Sequence, residues 1–348
     1  RAIAIAGVPG DPMVNYIGAA SGGLWKTTDG GLGWEPVFDK QEASSIGSVA
    51  IAPSNPDIVW VGTGETFVIR PAHAMGDGIY KSEDAGATWT RMGLEKTGRI
   101  GRILVHPENP DIVYAAALGH TYGPQQERGV YKTTDGGKTW NRIFFVDEGT
   151  GAAELAMDPT NPDRLLVGMW SIHINTWGLR SGGPGGGVYR SLDGGATWKP
   201  LSENGLPGGA EHPVGKTAVA IAPSSPDIVY ALFEIESPAL YRSADFGETW
   251  TLQTRNHDIA ERAPYYTRMA VSPDSPDEIY IASVKFSTST DGGKTFKSGY
   301  SAGGDNHDIS HDPANADLKM VANDGGANIS RNRCKISQRL VLPIAQMY

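Results

Sequence analysis

The stretch Lys132-Thr133-Thr134-Asp135-Gly136-Gly137-Lys138-Thr139-Trp140 is one copy of a motif that recurs along the chain. We call this motif, Ser/Thr-x-Asp-x-Gly-x-Thr-Trp, the Asp box. Six copies occur, at Thr27 to Trp34, Ser82 to Trp89, Thr133 to Trp140, Ser191 to Trp198, Ser243 to Trp250 and Ser289 to Phe296. A seventh stretch, Ser330 to Ser337, keeps the register but has lost the Asp, Gly, Thr and Trp. The sequence therefore predicts a repeat protein.

A second motif alternates with the Asp box and consists of an apolar strand, a proline-containing turn and a β-branched strand. Its seven copies are Ile5 to Ile17, Val49 to Val61, Ile103 to Ala115, Leu155 to Val167, Val219 to Ala231, Met269 to Ile281 and Ile309 to Val321. Each unit of about 50 residues then has four short antiparallel strands, A to D. The proline turn joins A to B, and the Asp box joins C to D.

Four-stranded repeats of this length are typical of β-propellers. The sequence predicts an all-β fold, a seven-bladed β-propeller in a single domain over residues 1–348. Its blades are expected to begin near residues 1, 45, 99, 151, 215, 265 and 305, with the last blade degraded after residue 331.

Turn chemistry explains the Asp box without a catalytic role. Its hydroxyl and carboxylate can bond backbone groups within the turn, and its glycines permit a positive φ. Carboxylates at six equivalent, well-separated turns cannot surround one reaction centre. The Asp-Gly-Gly sequence also lacks the further oxygen ligands of a calcium loop. We therefore interpret these Asp residues as structural.

The composition argues against several classes of function. A formal net charge of −9 without a basic stripe makes a nucleic-acid partner unexpected. The single cysteine, Cys334, excludes internal disulfides and cysteine-based metal sites. No apolar run approaches the ~20 residues of a membrane-spanning helix. We expect no nucleic acid, no membrane span, no metal and no cofactor.

Strand parity decides which face of the ring carries the irregular sequence. The A–B and C–D turns lie on one face, and the B–C and D–A connections lie on the other. Blade 2 places Glu65 to His73 on this second face, and blade 4 places Trp170 to Arg180 there. Exposed aromatic rings suit sugars, whereas an aromatic in a long loop often pins that loop to its own blade. We predict ligand binding by Trp170, His173 and Trp177.

Strand A should be the innermost strand, so its end approaches the central channel. Counting five residues back from each turn proline gives the equivalent positions Ala4, Ser48, Arg102, Glu154, Ala218, Arg268 and Asp308. Four of these seven are charged, two of each sign. Just above them lie Arg99, Lys216, Tyr265, Tyr266, Asp305 and His307. We predict a site at this ring, with ligand-binding roles for Arg102, Arg268, Tyr265, Tyr266 and His307.

Two interpretations of the four charged ring residues stay open. Arg102 with Glu154, and Arg268 with Asp308, could be ion pairs between adjacent blades. Alternatively, Glu154 and Asp308 are the catalytic acid and base of a glycoside hydrolase, which requires carboxyl groups about 5–9.5 Å apart. The distance between blades 4 and 7 around the ring speaks against so short a gap.

The segment around His307 also allows a metal interpretation. His307 and His311 would lie roughly 13 Å apart along an extended strand, too far to share one ion. A cation held by His307 and Asp305 at the end of the channel is the remaining version.

Four further stretches carry a family resemblance. They are Gly22 to Gly31, Arg99 to Arg102 with the following His106-Pro107, Ser181 to Gly185, and Gly304 to Asp308. With the Asp boxes, they resemble the amino-terminal propeller of large bacterial BNR/Asp-box proteins, and are similar to sortilin (VPS10) propellers and xyloglucan-cleaving propeller hydrolases. The resemblance implies further domains in the same protein. A sialidase-like site would require six blades, and no residue matches the xyloglucanase catalytic pair.

These observations favour a ligand-recognition propeller that binds a glycan or a peptide on the face formed by the B–C and D–A loops. The alternative is a glycoside hydrolase, xyloglucanase-like or sialidase-like, that uses carboxylates among Glu65, Glu154, Asp305 and Asp308. A third reading is an assembly factor that neither binds nor cleaves sugars. We expect a secreted or periplasmic protein, with any signal peptide outside this sequence.

Overall fold

Each of the seven repeats forms its own antiparallel sheet in the computed structural model, which describes residues 1–68, 74–299 and 303–340. Strands that are consecutive along the chain are neighbours in every sheet. Strand A of each blade contacts strand A of the next blade, and strand A of blade 7 contacts that of blade 1. The seven sheets therefore close into a ring with the A strands innermost, and the predicted all-β, seven-bladed propeller is confirmed.

The strands follow the predicted repeat. The A strands are Ala2–Val8, Ile46–Ile51, Ile100–Val105, Thr150–Met157, Thr217–Ile221, Arg268–Val271 and Asn306–Asp312. The B strands are Asp11–Ala19, Val59–Thr63, Val113–Ala117, Leu165–Asn175, Val229–Phe233, Ile279–Ala282 and Asn315–Asn323. The C strands are Leu24–Thr27, Ile79–Ser82, Gly129–Thr133, Gly187–Ser191, Ala239–Ser243, Phe286–Ser289 and Gly326–Ser330. The D strands are Glu35–Pro36, Thr90–Arg91, Asn141–Phe144, Lys199–Pro200, Thr251–Thr254, Lys297–Gly299 and Gln338–Leu340.

A few elements depart from the four-stranded repeat. Blade 4 has an additional strand, Gly178–Ser181, which pairs with the far end of its B strand. Three short 3-10 helices, Glu95–Thr97, Leu201–Asn204 and His257–Ile259, lie in D–A connections. Both departures fall on the side of the ring where the sequence is irregular.

Burial falls from the inner strands to the outer strands. In blade 2 every residue of the B strand Val59–Thr63 is buried, whereas both residues of the D strand Thr90–Arg91 are exposed. The apolar side chains of neighbouring sheets pack together, so the core lies between blades. An inner strand must therefore be apolar on both faces, which explains its continuous apolar sequence.

Hydrogen bonds within the Asp box fix the turn between strands C and D. Thr133 Oγ1 donates to Asp135 Oδ1 at 2.8 Å and accepts from the Gly137 amide at 3.0 Å. Asp135 Oδ1 in turn accepts from the amide of Thr139 at 2.9 Å. The hydroxyl and carboxylate groups that the motif repeats are thus used inside the turn, which supports the structural interpretation of these Asp residues.

A backbone hydrogen bond joins each Asp box to the A–B turn of its own blade. The donor–acceptor pairs are Gly30–Met13, Ala85–Asp57, Gly136–Asp111, Gly194–Asp163, Phe246–Asp227, Gly292–Asp277 and Arg333–Asp317. The A–B and C–D turns therefore share one face of the ring, as strand parity predicts. The B–C and D–A connections form the opposite face, which we call the loop face.

The seventh box keeps its geometry although its sequence has diverged. Ser330 Oγ donates to Asn332 Oδ1 at 3.0 Å and accepts from the Cys334 amide at 2.9 Å. Asn332 Oδ1 accepts from the amide of Ile336 at 2.9 Å, as an Asp does in the other boxes. An amide oxygen thus replaces the carboxylate oxygen, and the outer strand Gln338–Leu340 forms after the turn.

The Asp-box carboxylates predict a loss of stability in acid. Hydrogen bonds from the hydroxyl and amide of Thr88 and from Ser82 lower the pKa of Asp84 to about 2. Because the ordinary pKa in an unfolded chain is about 3.9, this stabilisation is complete above pH ~5 and is lost as the pH falls through 4 to 2. Asp84→Asn should therefore lose less free energy of unfolding than the wild type between pH 5 and pH 2.

Urea unfolding of both proteins at pH 7, 5, 3 and 2 measures the difference. We expect about 1 kcal/mol or less, since Asp84 is exposed and solvent screens its interactions. Asn at this position copies the seventh box, so the variant should fold. Parallel pH dependence in the two proteins would contradict a role for the box carboxylate in acid stability.

Candidate functional site

The four charged positions of the inner ring form one connected network. Arg102 Nε lies 2.6 Å from Glu154 Oε1, and Arg102 Nη1 lies 3.4 Å from Asp308 Oδ1. Arg268 Nη1 also donates to Glu154, and Arg268 Nη2 donates to the carbonyl oxygen of Gly101 at 2.6 Å. Blades 3, 4, 6 and 7 are thus joined across the centre of the ring.

The electrostatics of Glu154 follow from this double pairing. Burial raises the pKa of Glu154, but Arg102 and Arg268 outweigh it and hold the pKa at about 2. Its side chain is 5% exposed. The two guanidinium groups therefore favour the anionic form of Glu154, and both of its oxygens accept hydrogen bonds from them.

The structure decides between the predicted ion pairs. The pair between Arg102 and Glu154 is confirmed. The pair between Arg268 and Asp308 is wrong, because Arg268 reaches across the channel to Glu154 and Asp308 binds Arg102 instead. Glu154 and Asp308 both contact one guanidinium, so they lie closer together than their blade positions suggested. Their catalytic roles stay a prediction, and an ionised, paired Glu154 is a poor proton donor.

Two described residues of the B–C connection of blade 2, Phe67 and Val68, pack against blades on the far side of the ring. Phe67 is fully buried, its ring centroid lies 4.7 Å from that of His307, and Lys216 Nζ lies 4.5 Å from the Phe67 centroid. The amide of Val68 donates to the carbonyl oxygen of Pro264 at 3.1 Å. A segment of blade 2 is therefore packed against blades 5, 6 and 7. We call Phe67 and Val68 the plug.

The sequence did not reveal this plug, because a contact between distant blades leaves no local pattern. Both plug residues belong to the irregular stretch Glu65 to His73, and the sequence predicts no specific role for them. Residues 69–73 of that stretch lie outside the part of the chain that the structure describes. Glu65, considered above as a carboxylate for hydrolysis, is 3% exposed and pairs with Arg1.

Tyr265, Tyr266 and His307, which were predicted to bind a ligand, pack beside the plug. The ring centroids of the two tyrosines lie 5.0 and 5.4 Å from that of His307. Burial lowers the pKa of His307, although Asp324, 2.7 Å from Nε2, acts in the opposite direction. These side chains are at most 4% exposed, as is Arg268 at 3%. Direct ligand binding by them stays a prediction that their burial does not favour.

Within the described residues, few groups of side chains have an arrangement that could hold a metal ion. His307 Nε2 faces Asp324, whereas the cation site considered above used Asp305. One other group, His257, Asp258 and Glu261, places its ligand atoms within 4.8 Å of one another. Asp258 in this group already pairs with a lysine, Lys285, at 3.2 Å.

Trp170 and Trp177, the two tryptophans outside the repeat pattern, have opposite environments. Trp170 is fully buried, and its Nε1 donates to Ser181 Oγ at 2.9 Å. Trp170 fits the second alternative given above, an aromatic that pins its own blade, because the B strand of blade 4 extends to Asn175 and carries this side chain into a core shared with Val68. Direct ligand binding by Trp170 stays a prediction that its burial does not favour. Trp177 is 87% exposed.

Trp177 lies at the tip of a two-stranded hairpin on the loop face. The end of the B strand pairs with Gly178–Ser181, with His173 opposite Arg180 and Asn175 opposite Gly178. His173 Nε2 also donates to the carbonyl oxygen of Tyr122 in blade 3 at 3.0 Å. Blade 3 therefore holds the base of the hairpin, while the indole points into solvent.

Two cavities adjoin this hairpin and share Arg180 and the run 182–184 as walls. One, of about 300 Å³, is also lined by Asp147 and His173. The other, of about 590 Å³, is also lined by Glu234 and Glu236. Trp177 lies at the hairpin tip, outside the walls of both cavities, and we call the hairpin tip and the two cavities together the hairpin groove. The cavities offer nitrogen donors from Arg180 and carboxylate acceptors, and Trp177 offers an exposed aromatic ring beside them.

Three residues of the hairpin groove region escaped the sequence prediction. Arg180 was seen only as the end of the irregular stretch, yet its exposed side chain lines both cavities. Tyr122 is 40% exposed beside the hairpin, and Leu179 is 37% exposed upon it. The position of Tyr122 beside His173 depends on how blade 3 packs on blade 4, which the sequence does not state.

Comparison with known proteins agrees with this architecture. A family model described as sortilin, neurotensin receptor 3 (Sortilin-Vps10) matches residues 77–206. Xyloglucanase Xgh74A of Acetivibrio thermocellus is 29% identical over 229 residues, which are 57% of this chain and 25% of that protein. A probable oligoxyloglucan-reducing end-specific xyloglucanase of Neosartorya fischeri is 23% identical over 345 residues, covering 84% and 39%. The chain is a sortilin- and xyloglucanase-like propeller.

Solved structures show the same fold. The propeller matches an ancestral GH74 enzyme with a TM-score of 0.67 and 16% identity, over 96% of this chain and 44% of that one. It matches YCF48 bound to D1 peptide with a TM-score of 0.60 and 16% identity, over 94% and 92%. The chain spans between a quarter and two fifths of the length of the two xyloglucanases described above. Among the described residues, no helix has the length and apolar character needed to cross a bilayer.

The charge network predicts a large cost for removing its central carboxylate. Glu154→Gln leaves the buried guanidinium of Arg268 and the partly buried one of Arg102 without their shared anion, so the free energy of unfolding should fall by about 3–5 kcal/mol. Guanidinium chloride unfolding at pH 7 measures this cost. Asp308→Asn is the matched control, with an expected cost of about 1–2 kcal/mol, because Asn keeps an acceptor for the Ile5 amide. Equal costs for the two variants would show that Glu154 is not the centre of the network.

Proposed function

We propose that the protein is a carbohydrate-recognition propeller that binds an oligosaccharide or polysaccharide in the hairpin groove. The observation that carries this proposal is the 87% exposed indole of Trp177 at the tip of a held hairpin, beside two cavities. Because the Trp177 side chain is so exposed, it contributes little to the hydrophobic core, and folding does not explain its presence. A large aromatic ring on a fixed support is suited to stacking against the apolar face of a sugar ring.

The polar groups around Trp177 fit the hydroxyl groups of a neutral sugar. Arg180 can donate from five N–H groups, and Glu236 is exposed and can accept. Asp147 is partly used, because its carboxylate accepts from the Gly149 amide and from Thr150. The groove therefore presents both hydrogen-bond donors and hydrogen-bond acceptors, which suits ligands with many hydroxyl groups and little net charge.

The comparisons support a glycan more than any other ligand class. Two relatives over more than half of this chain are named xyloglucanases. One fold neighbour is described as bound to a peptide, which makes a peptide ligand the second candidate for the same face. Because the chain covers less than half of either xyloglucanase, glycan recognition and the involvement of further domains are both part of the proposal. Secretion or export to the periplasm belongs to it as well.

Hydrolysis is the less favoured activity. The predicted pair of Glu154 and Asp308 lies in a network that joins four blades, and the plug packs against this network, with the Arg268 guanidinium carbon 5.4 Å from the Phe67 ring centroid. A glycosidase needs one carboxylic acid that is protonated near the working pH. With a pKa held at about 2, Glu154 does not meet this requirement.

Replacing the exposed indole tests the proposed site. Trp177→Ala should weaken binding to the recognised glycan by about tenfold or more, since the stacking surface is lost. A glycan array that includes xyloglucan and β-glucan oligosaccharides identifies the ligand, and isothermal titration calorimetry measures the affinity. The melting temperature should not change, because this side chain lies in solvent.

The matched control is Leu192→Ala, another exposed apolar residue, which lies in an Asp box on the opposite face. It should leave glycan affinity unchanged. Unchanged affinity in Trp177→Ala, or binding of peptides and of no glycan on the array, would overturn the proposal. Release of reducing sugars from any of these glycans by the wild type would favour the hydrolase alternative.

A further inference from the structure

The aromatic residue that ends each Asp box fills a slot on the preceding blade. Trp140 donates from Nε1 to the carbonyl oxygen of Met92 at 2.7 Å, and its ring meets that of Trp60 edge to face at 6.2 Å. Trp89 contacts blade 1 in the same way, through the carbonyl oxygen of Val37 at 2.7 Å. The remaining box aromatics, Trp34, Trp198, Trp250 and Phe296, pack into the corresponding clusters of their preceding blades.

Blade 7 lacks this aromatic but keeps the turn that positions it. The hydrogen bonds of its box place Ser337 where the other blades have Trp or Phe. On the facing edge of blade 6, Gly299 corresponds in register to Met92 of blade 2, and Tyr280 corresponds to Trp60. Between blades 2 and 3 the slot is filled by Trp140 and Met92. Between blades 6 and 7 the equivalent residues are the much smaller Ser337 and Gly299.

A cavity of about 480 Å³ lies at this position. Its walls include Tyr280, Ser298 and Gly299 from blade 6 and Arg333 and Cys334 from blade 7. These blade 6 residues occupy the positions that surround the box tryptophan in the other slots. The volume falls in the range of small-molecule and side-chain pockets.

A cavity of about 450 Å³ also lies at the equivalent position between blades 2 and 3, where Trp140 fills the slot, but its described walls do not include Trp60. The blade 7 cavity reaches further inward, to Tyr280 and Cys334, and so extends into the aromatic slot that blade 7 does not fill from its own box.

Among the described residues around the slot, some cationic side chains already form ion pairs, and others do not. Arg333 is used by three carboxylates, those of Asp274, Glu278 and Asp317. Lys297 and Lys335 also line the cavity, are exposed, and have no ion pair within the described part of the chain. Two cationic groups at the rim favour a partner that carries negative charge beside its ring.

We propose that the blade 7 slot binds a tryptophan side chain presented by an acidic peptide segment of a partner protein. The indole takes the place that the box tryptophan has in the other blades, stacked near Tyr280. The carboxylates that flank it pair with Lys297 and Lys335. This site lies on the outer edge of the ring between blades 6 and 7, so it does not depend on the hairpin groove.

A tripeptide probe tests the slot. Acetyl-Asp-Trp-Asp-amide should bind the wild type in ligand-observed NMR and calorimetry, with at least tenfold higher affinity than acetyl-Asp-Ala-Asp-amide. N-Acetyl-tryptophanamide should bind more weakly than the acidic probe by about threefold or more, and the double variant Lys297→Gln with Lys335→Gln should remove that difference. Equal binding of the neutral and acidic probes would overturn the charge requirement.

Two filling variants separate the slot from other surfaces. Ser337→Trp restores the repeat from blade 7, and Gly299→Met restores it from blade 6 with the residue that Met92 supplies in blade 2. Each should raise the melting temperature and abolish binding of the acidic probe. Trp177→Ala should bind the probe as the wild type does. Undiminished binding in either folded filling variant, or no binding by the wild type, would overturn the proposal.

Discussion

The shared carboxylate of Glu154 is the interaction on which the centre of the ring depends. Two arginines from different blades, Arg102 and Arg268, converge on it, and Asp308 completes the balance of charge. Buried charges cost several kcal/mol each unless they are paired and hydrogen-bonded. The four side chains therefore stabilise the ring only as a set. Their pairing ties together four blades that no disulfide joins.

This constraint decides where a ligand can bind. The charged centre is occupied by its own pairs, and the plug of Phe67 and Val68 packs against it. The opposite face is made of uniform turns whose polar groups bond one another. Irregular sequence that is both exposed and held in place remains at the hairpin of blade 4. Trp177 is exposed at this hairpin, whereas Trp170, close by in the sequence, is buried in the core.

The sequence predicts the fold well because the same motifs occur in every repeat. The Asp box and the proline turn mark every blade, and strand parity assigns the two faces correctly. It also located the four charged ring positions. It failed where distant blades meet: the partner of Arg268, the plug at Phe67 and the contact between Tyr122 and the hairpin all depend on three-dimensional packing. The sequence left two environments open for Trp170, because an extended B strand and an irregular loop look alike in composition.

The most direct test of this account is hydrogen–deuterium exchange of the wild type with and without the oligosaccharide selected by the glycan array. We predict protection of the backbone amides of residues 171–184 on the blade 4 hairpin, with no change around Arg102, Glu154, Arg268 and His307 in the plugged centre. Protection confined to the centre, with an unaffected hairpin, would contradict the claim that the charge network and plug leave recognition to the rim.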